Sequence, residues 1–203
     1  MSLLNLIRRD FIVQKFQLYF LIPLLIFFII LDVPHVLTYL VAGIYIPYNA
    51  LAYDEQAETH LLLNSLPYTR KEIIAARYIG AIVYMVIAII LVTIILFLFN
   101  RPISLTNIAI SFGLFILFVA FTLPFYYFFK VGNISLFIII GFIVCSVAAS
   151  ALFDYFFAKY PSFAVAINNI PVNLLYKSVF IIIIFFYALS WLLTLFIYER
   201  RSL

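Results

Sequence analysis

Long apolar runs, broken at intervals by proline, glycine, asparagine and charge, set the plan of this chain. They cover 16–31, 36–52, 72–99, 103–129, 134–153 and 174–198. A helix needs roughly 20 apolar residues to cross the hydrocarbon of a bilayer, and the alternating ten-residue strands of an outer-membrane barrel are absent. The pattern predicts an all-α polytopic membrane protein, with six transmembrane helices in one transmembrane domain over 1–203. Pro23 predicts a bend in the first span, Gly43, Pro47 and Asn49 interrupt the second, and Pro124 stands near the end of the fourth. Asp32, Pro34 and His35 form a tight polar turn, Asn100, Arg101 and Pro102 another, and Lys130, Gly132 and Asn133 a third, with Asn133 as a helix N-cap.

Three segments depart from this rhythm. Residues 2–14 are amphipathic: Leu3, Leu4, Ile7 and Phe11 share one helical face, and Asn5, Arg8 and Arg9 the other. They suit a helix lying in the membrane interface, or a plain basic flank that sets orientation, and the two roles are compatible. Residues 154–173 are too polar and too broken by Pro161 and Pro171 to span. Their aromatics suit the outer interface, as a belt loop or as an external gate. The third departure is Tyr53–Tyr78, which holds four of the eight acidic residues. Charge of that density must sit outside the lipid. Asp54, Glu55 and Glu58 crowd what reads as the start of a short helix, 54–66, where carboxylates are favoured. Leu61, Leu62 and Leu66 follow at helical spacing, and Leu66-Pro67 ends the helix because the residue before proline avoids the α region. Thr69 and Glu72 form a capping box around Arg70 and Lys71, with Tyr68 and Ile73 as the flanking hydrophobic staple. The segment therefore reads as short helix, break, and a new helix running into span three. An ordinary solvated loop would need none of this, which favours a docking element for a soluble partner.

Composition supports the membrane class. The 203 residues are 68% hydrophobic and 10% charged, against about 25% charged in soluble domains. Charge fixes the expected orientation. With six spans, one side receives Arg8, Arg9, Lys15, Arg70, Lys71, Arg77, Lys130, Arg200 and Arg201, and the other Arg101, Lys159 and Lys177. Nine against three places both termini and Tyr53–Tyr78 in the cytoplasm. The net charge of +4 flanks spans instead of forming a polyanion patch, so no nucleic acid is expected. The first span is not followed by a small-residue cleavage site, so a retained span is expected instead of a signal peptide. Cys145, the single cysteine, cannot form an intrachain disulfide.

The residues offer no chemistry of their own. None of the glycines at 43, 80, 113, 132 and 141 opens a phosphate-cradling G-x-x-x-x-G-K-[ST] loop. The middles of the spans carry no ionisable group, which argues against an ion-driven carrier. His35 and His60 fall on opposite expected sides and cannot share a metal, and Ser111, Ser135, Ser146 and Ser150 lack a neighbouring base and read as helix-packing residues. No catalytic, cofactor or metal residues are assigned. Gly43, Asn49, Thr93, Ser146, Ala148, Ala149 and Ser150, and the ridge Gly141, Cys145 and Ala149, read as packing surfaces ahead of substrate contacts. Any path among such side chains suits an amphipathic peptide, a lipid or a hydrophobic drug better than a sugar or an ion.

The run Asp54-Glu55, Leu62, Ser65-Leu66-Pro67, Arg70-Lys71-Glu72, Ala76-Arg77-Tyr78 resembles the type 2 ABC transporter permeases of bacteria, in which acidic residues and then S-L-P-x-x-R-x-E precede span three. Size, six-span layout and amphipathic start agree over the whole chain, and among small permeases it looks most similar to exporters of phenol-soluble modulin peptides. The resemblance implies a permease subunit of an ATP-driven exporter in the bacterial cell membrane. Residues 2–14 would be its elbow helix and 54–66 its cytoplasmic coupling helix. Asp54, Glu55, Glu58, Leu62, Ser65 and Leu66 would dock on a separate ABC ATPase, two copies of which would hold the ATP and magnesium that this chain does not. Pro67, Thr69, Arg70, Glu72 and Arg77 would form the break and the cap of span three. The complex would include a second copy of the permease or a related one. The alternative reading is a non-transporting membrane anchor or sensor that recruits a cytoplasmic partner through the same stretch.

Overall fold

The computed structural model describes residues 15–56, 69–128, 155, 159 and 171–200. Among them every regular element is an α-helix: α1 (Lys15–Ile30), α2 (His35–Gln56), α3 (Arg70–Leu98), α4 (Leu105–Phe128) and α5 (Val172–Arg200). They occupy the first four and the sixth of the expected spans. The fifth, 134–153, lies outside the described residues, as do 2–14 and most of 154–173. Lys71–Leu98, Leu105–Phe128 and Tyr176–Tyr198 are each long and apolar enough to cross a membrane, and α1 contributes the shorter apolar stretch Tyr19–Ile30. At about 1.5 Å per residue α3 is about 44 Å long, against about 30 Å of hydrocarbon. It is therefore longer than the hydrocarbon is thick.

One boundary differs from the expectation. α2 does not stop at Ala52 but continues through Asp54 and Glu55 to Gln56. These two carboxylates ride on the tail of a long helix instead of opening a short one, so the N-terminal stabilisation expected for them does not apply. The cause is plain in the sequence: between Pro47 and Pro67 there is neither glycine nor proline, so nothing stops the helix at 52.

The ends of α1 and α3 are made the same way. Val33 N–H bonds Phe28 O at 3.0 Å and Asp32 N–H bonds Ile29 O at 3.3 Å. Arg101 N–H bonds Leu96 O at 2.9 Å and Asn100 N–H bonds Phe97 O at 3.1 Å. These nested bonds are Schellman stops, which need a left-handed residue just past the helix. Asp32 (φ 53°) and Asn100 (φ 52°) supply it, being among the few non-glycine residues that tolerate it. Pro34 and Pro102 then forbid continuation. The two turns meet, and the Arg101 guanidinium lies 2.8 Å from the Asp32 carboxylate.

Packing follows from these hairpins. α3 packs on α2, α4 on α5 and on α2, and α1 lies against α2. Leu21, Leu25 and Ile29 of α1 pack with Tyr39 and Ala42 of α2 and with Ala88, Val92 and Leu96 of α3. A second cluster joins Ile74, Tyr78 and Met85 of α3 to Phe115, Val119 and Leu123 of α4 and Ile183 and Tyr198 of α5. Polar ties link the same helices: Tyr39 OH lies 3.0 Å from Thr93 Oγ1, and Ser111 Oγ lies 2.9 Å from Val36 O and 2.6 Å from its own helix at Asn107 O. Ser111 and Thr93 thus pack helices together, as the sequence suggests, while Asn49 donates to Tyr45 O within α2 at 2.8 Å. The outer surface is as apolar as the core, with Phe20, Phe97, Leu105, Phe128, Ile181 and Leu192 largely exposed. That arrangement is stable only in a hydrocarbon solvent.

Gly43 lets α2 approach α3 and α4 closely. A Cβ there would run into Met85 Sδ and lie 3.3 Å from Phe115 Cδ2. Gly43→Val should destabilise the fold by about 1–3 kcal/mol, the usual cost of overpacking. A lowered thermal midpoint of the detergent-solubilised chain, partly restored by adding Met85→Ala, would show it; an unchanged midpoint would contradict this packing.

Candidate functional site at the root of span three

The stretch expected to dock a partner ends where α3 begins. Thr69, in extended conformation (φ −73°, ψ 149°), caps the helix. Glu72 N–H donates to Thr69 Oγ1 at 3.3 Å. Thr69 N–H and Thr69 Oγ1 donate in turn to Glu72 Oε2 at 2.8 and 2.9 Å. This is the reciprocal capping box that the spacing predicts. Ile73, the expected staple residue, is buried, and Arg70 opens the helix. Of the expected docking residues, Asp54 and Glu55 fall on the last turn of α2. Glu58, Leu62, Ser65, Leu66 and Pro67 lie outside the described residues. α2 and α3 run antiparallel, because Tyr39 meets Thr93 near one end while Leu51 meets Ala76 around a cavity near the other. The last turn of α2 and the first turn of α3 therefore share one end of the bundle, opposite the Asp32–Arg101 pair.

Two turns into α3, Arg77 and Tyr78 grip the rest of the bundle. Arg77 hydrogen-bonds the Tyr127 hydroxyl of α4, and Tyr127 packs edge-on against Tyr126 and against Tyr198 of α5. Tyr78 is fully buried and is held at three points, all on α5. Its ring stacks on Trp191 with centroids 5.3 Å apart. Its carbonyl accepts from Tyr187 OH at 2.9 Å. Its hydroxyl lies 2.7 Å from Ser190 Oγ and 2.8 Å from Thr194 Oγ1. Stacking and edge-to-face pairs of this kind contribute about 0.5–1.5 kcal/mol each beyond burial.

The sequence alone marks Arg77 as part of the cap and gives Tyr78 no role beyond its place in the motif. A signal for the α5 partners is present: Tyr187, Ser190, Trp191 and Thr194 recur at three- and four-residue steps in the otherwise apolar stretch 179–197. That marks one polar stripe on α5, although nothing in it names Tyr78, more than a hundred residues away.

Beside Arg77 lies a half-open cavity of about 30 Å³ between α2, α3 and α4, bordered by Pro47, Tyr48, Gly80, Tyr84 and Thr122. That is room for one or two water molecules at about 10–15 Å³ each, and too little for any transported peptide or drug. Among the described residues no group of three or more His, Cys, Asp or Glu side chains comes together. The arrangement is a set of ties between helices.

Compared with known protein families, the chain matches over residues 5–199 the family described as ABC-2 family transporter protein. No curated protein and no solved structure matches it.

The cap itself can be tested. Thr69→Ala should cost about 1 kcal/mol locally, so amide exchange in the first turns of α3 should quicken about fivefold, with Thr69→Ser near wild type. Equal exchange in all three proteins would mean that the box does not hold the root of α3.

Proposed function

The chain belongs to the ABC-2 transporter family, and from that membership we propose that it is the membrane subunit of an ATP-driven exporter whose motor is a separate ABC ATPase docking on residues 54–66. A permease role in transport across a membrane follows from the family and from the apolar helices. The observation that carries the rest is the geometry of the docking stretch. Its two flanks, the tail of α2 and the capped root of α3, stand side by side at one end of the bundle, and the root is bonded directly into α4 and α5. A partner that displaces this stretch acts on α2 and α3 directly and on α4 and α5 through the root.

Two features support the finer parts of the reading. The buried polar side chains in the described bundle are hydroxyls, namely Thr38, Ser111, Thr122, Ser190 and Thr194, which suits a hydrophobic or amphipathic cargo such as a peptide, lipid or drug. The cavity between α2, α3 and α4 is far smaller than such a cargo, which supports a path between two permease copies, each with its own ATPase. ATP and magnesium bind in those ATPases. The stretch faces the cytoplasm, on the side that carries nine of the twelve lysines and arginines.

Charge reversal tests the docking role. Glu55→Lys with Glu58→Lys should lower co-purification of a P-loop ATPase with the tagged chain by tenfold or more, on the basis that each buried charge pair lost at an interface costs about 2–5 kcal/mol. The elution profile of the chain itself should not change. A double variant that retains its ATPase and an unaltered hydrolysis rate in proteoliposomes would sink the proposal.

A further inference from the structure

α4 contains Pro124. Proline has no N–H, so the carbonyl four residues earlier, Ala120 O, loses the partner that every other turn of the helix provides. In a membrane interior water is not at hand to replace it. The replacement comes from another helix: Ser190 Oγ of α5 donates to Ala120 O at 2.5 Å. Ser190 is also one of the two hydroxyls around Tyr78 OH. The orphaned carbonyl of α4 and the root of α3 therefore share a single side chain.

Counting protons gives this cluster a direction. Ser190 spends its proton on Ala120 O, and Thr194 spends its own on Ser190 O at 2.9 Å. Both oxygens therefore turn lone pairs toward Tyr78, whose one proton has two acceptors at 2.7 and 2.8 Å. Three hydroxyl protons serve four contacts. A small displacement of Tyr78 changes which contact goes without a proton, and Ser190 can swing between the carbonyl and the phenol. The neighbouring residue grips the far side of the same break: Arg77 holds Tyr127, three residues beyond Pro124. The consecutive pair Arg77-Tyr78 thus reaches α4 on both sides of Pro124, Tyr78 through Ser190 and Arg77 directly.

We infer that Tyr78 and Ser190 are positioning residues for transport, forming a joint through which displacement of the α3 root changes the bend of α4 at Pro124. The inference rests on the docking role proposed above only for what moves the root; the joint itself is a property of this chain. Discrete alternative hydrogen-bond partners within a packed interior give such a joint two arrangements instead of a continuous range.

The test measures the bend. In a Cys145→Ser background, spin labels at Leu105→Cys and Phe128→Cys, both largely exposed at the two ends of α4, report its end-to-end distance in lipid nanodiscs, about 35 Å for 23 helical steps. Tyr78→Phe keeps the ring against Trp191 and removes only the hydroxyl, and Ser190→Ala removes the donor to Ala120 O. Each should shift or broaden the distance distribution, and Ser190→Thr should restore it. Pro124→Ala returns an N–H to Ala120 O, so in that background Ser190→Ala should have no further effect, whereas a side chain needed only for packing would act equally in both. In the complex with its ATPase, a non-hydrolysable ATP analogue should move the wild-type distance and leave that of Tyr78→Phe in place. The joint is overturned if Tyr78→Phe and Ser190→Ala match wild type, if Ser190→Ala acts alike with and without Pro124, or if the analogue moves Tyr78→Phe as far as wild type. Failure of the Glu55 and Glu58 variants to lose the ATPase would overturn the docking role, and the label distances in the isolated chain would still decide the joint by themselves.

Discussion

A polar group inside hydrocarbon must find its partner within the protein, and in this bundle that requirement decides which helices are bound to which. Several of the buried hydroxyls bond backbone carbonyls of other helices. Ser190 of α5 serves the carbonyl that Pro124 leaves bare in α4, Tyr187 serves the Tyr78 carbonyl, and Ser111 of α4 reaches Val36 O of α2. Apolar side chains alone would leave these helices free to slide, because lipid tails are as good a neighbour for leucine as another leucine is. Hydroxyl-to-carbonyl bonds add registration. Each is modest in free energy, roughly 1 kcal/mol, but each has one geometry.

The distribution of these ties is uneven, and the unevenness fits a machine that is pushed at one end. At the α3 root, aromatic stacking, a buried hydroxyl cluster and an arginine–tyrosine bond converge within two residues, Arg77 and Tyr78. At the opposite end the ties are the Tyr39–Thr93 hydroxyl contact, the Ser111 bond to Val36 O and the Asp32–Arg101 ion pair, the last of a kind that contributes little when exposed, about 0–1 kcal/mol. In the proposed mechanism, movement imposed at the root would pass to α4 and α5 through these ties. Family membership in the ABC-2 transporters gives this asymmetry a purpose, since a permease converts displacement on one face of the membrane into opening on the other.

Much of this is legible in the chain and some is not, for separable reasons. Helix existence follows from hydrophobic length, so α1 to α5 fall where the apolar runs do. The Thr69–Glu72 box is local, involving four residues, and is readable residue by residue. The end of α2 is harder to place because charge suggests a stop, whereas helices end at backbone signals; with no glycine or proline before Pro67, Asp54 and Glu55 simply prolong the helix. The polar residues at 32–35 and 100–102 announce turns, but only the backbone shows that Asp32 and Asn100 build one motif used twice. The pairing of Tyr78 with Ser190 depends on which face of α3 meets which face of α5, and nearly uniform apolar helices give almost no facial signal. Even so, a proline in a membrane helix announces a bare carbonyl, and the search for its donor leads to Ser190.

The paired stops have a consequence for how the protein is made. Each is written within about six residues and closes on its own helix, so neither requires a neighbouring helix in order to form. As the chain leaves the ribosome, α1 with α2 and later α3 with α4 can each enter the bilayer as a finished hairpin, its tip already shaped. The Asp32–Arg101 contact then becomes a check on assembly, made only when both tips have crossed to the same side and the two hairpins stand in register. A hairpin inserted the wrong way up would leave Arg101 without its carboxylate.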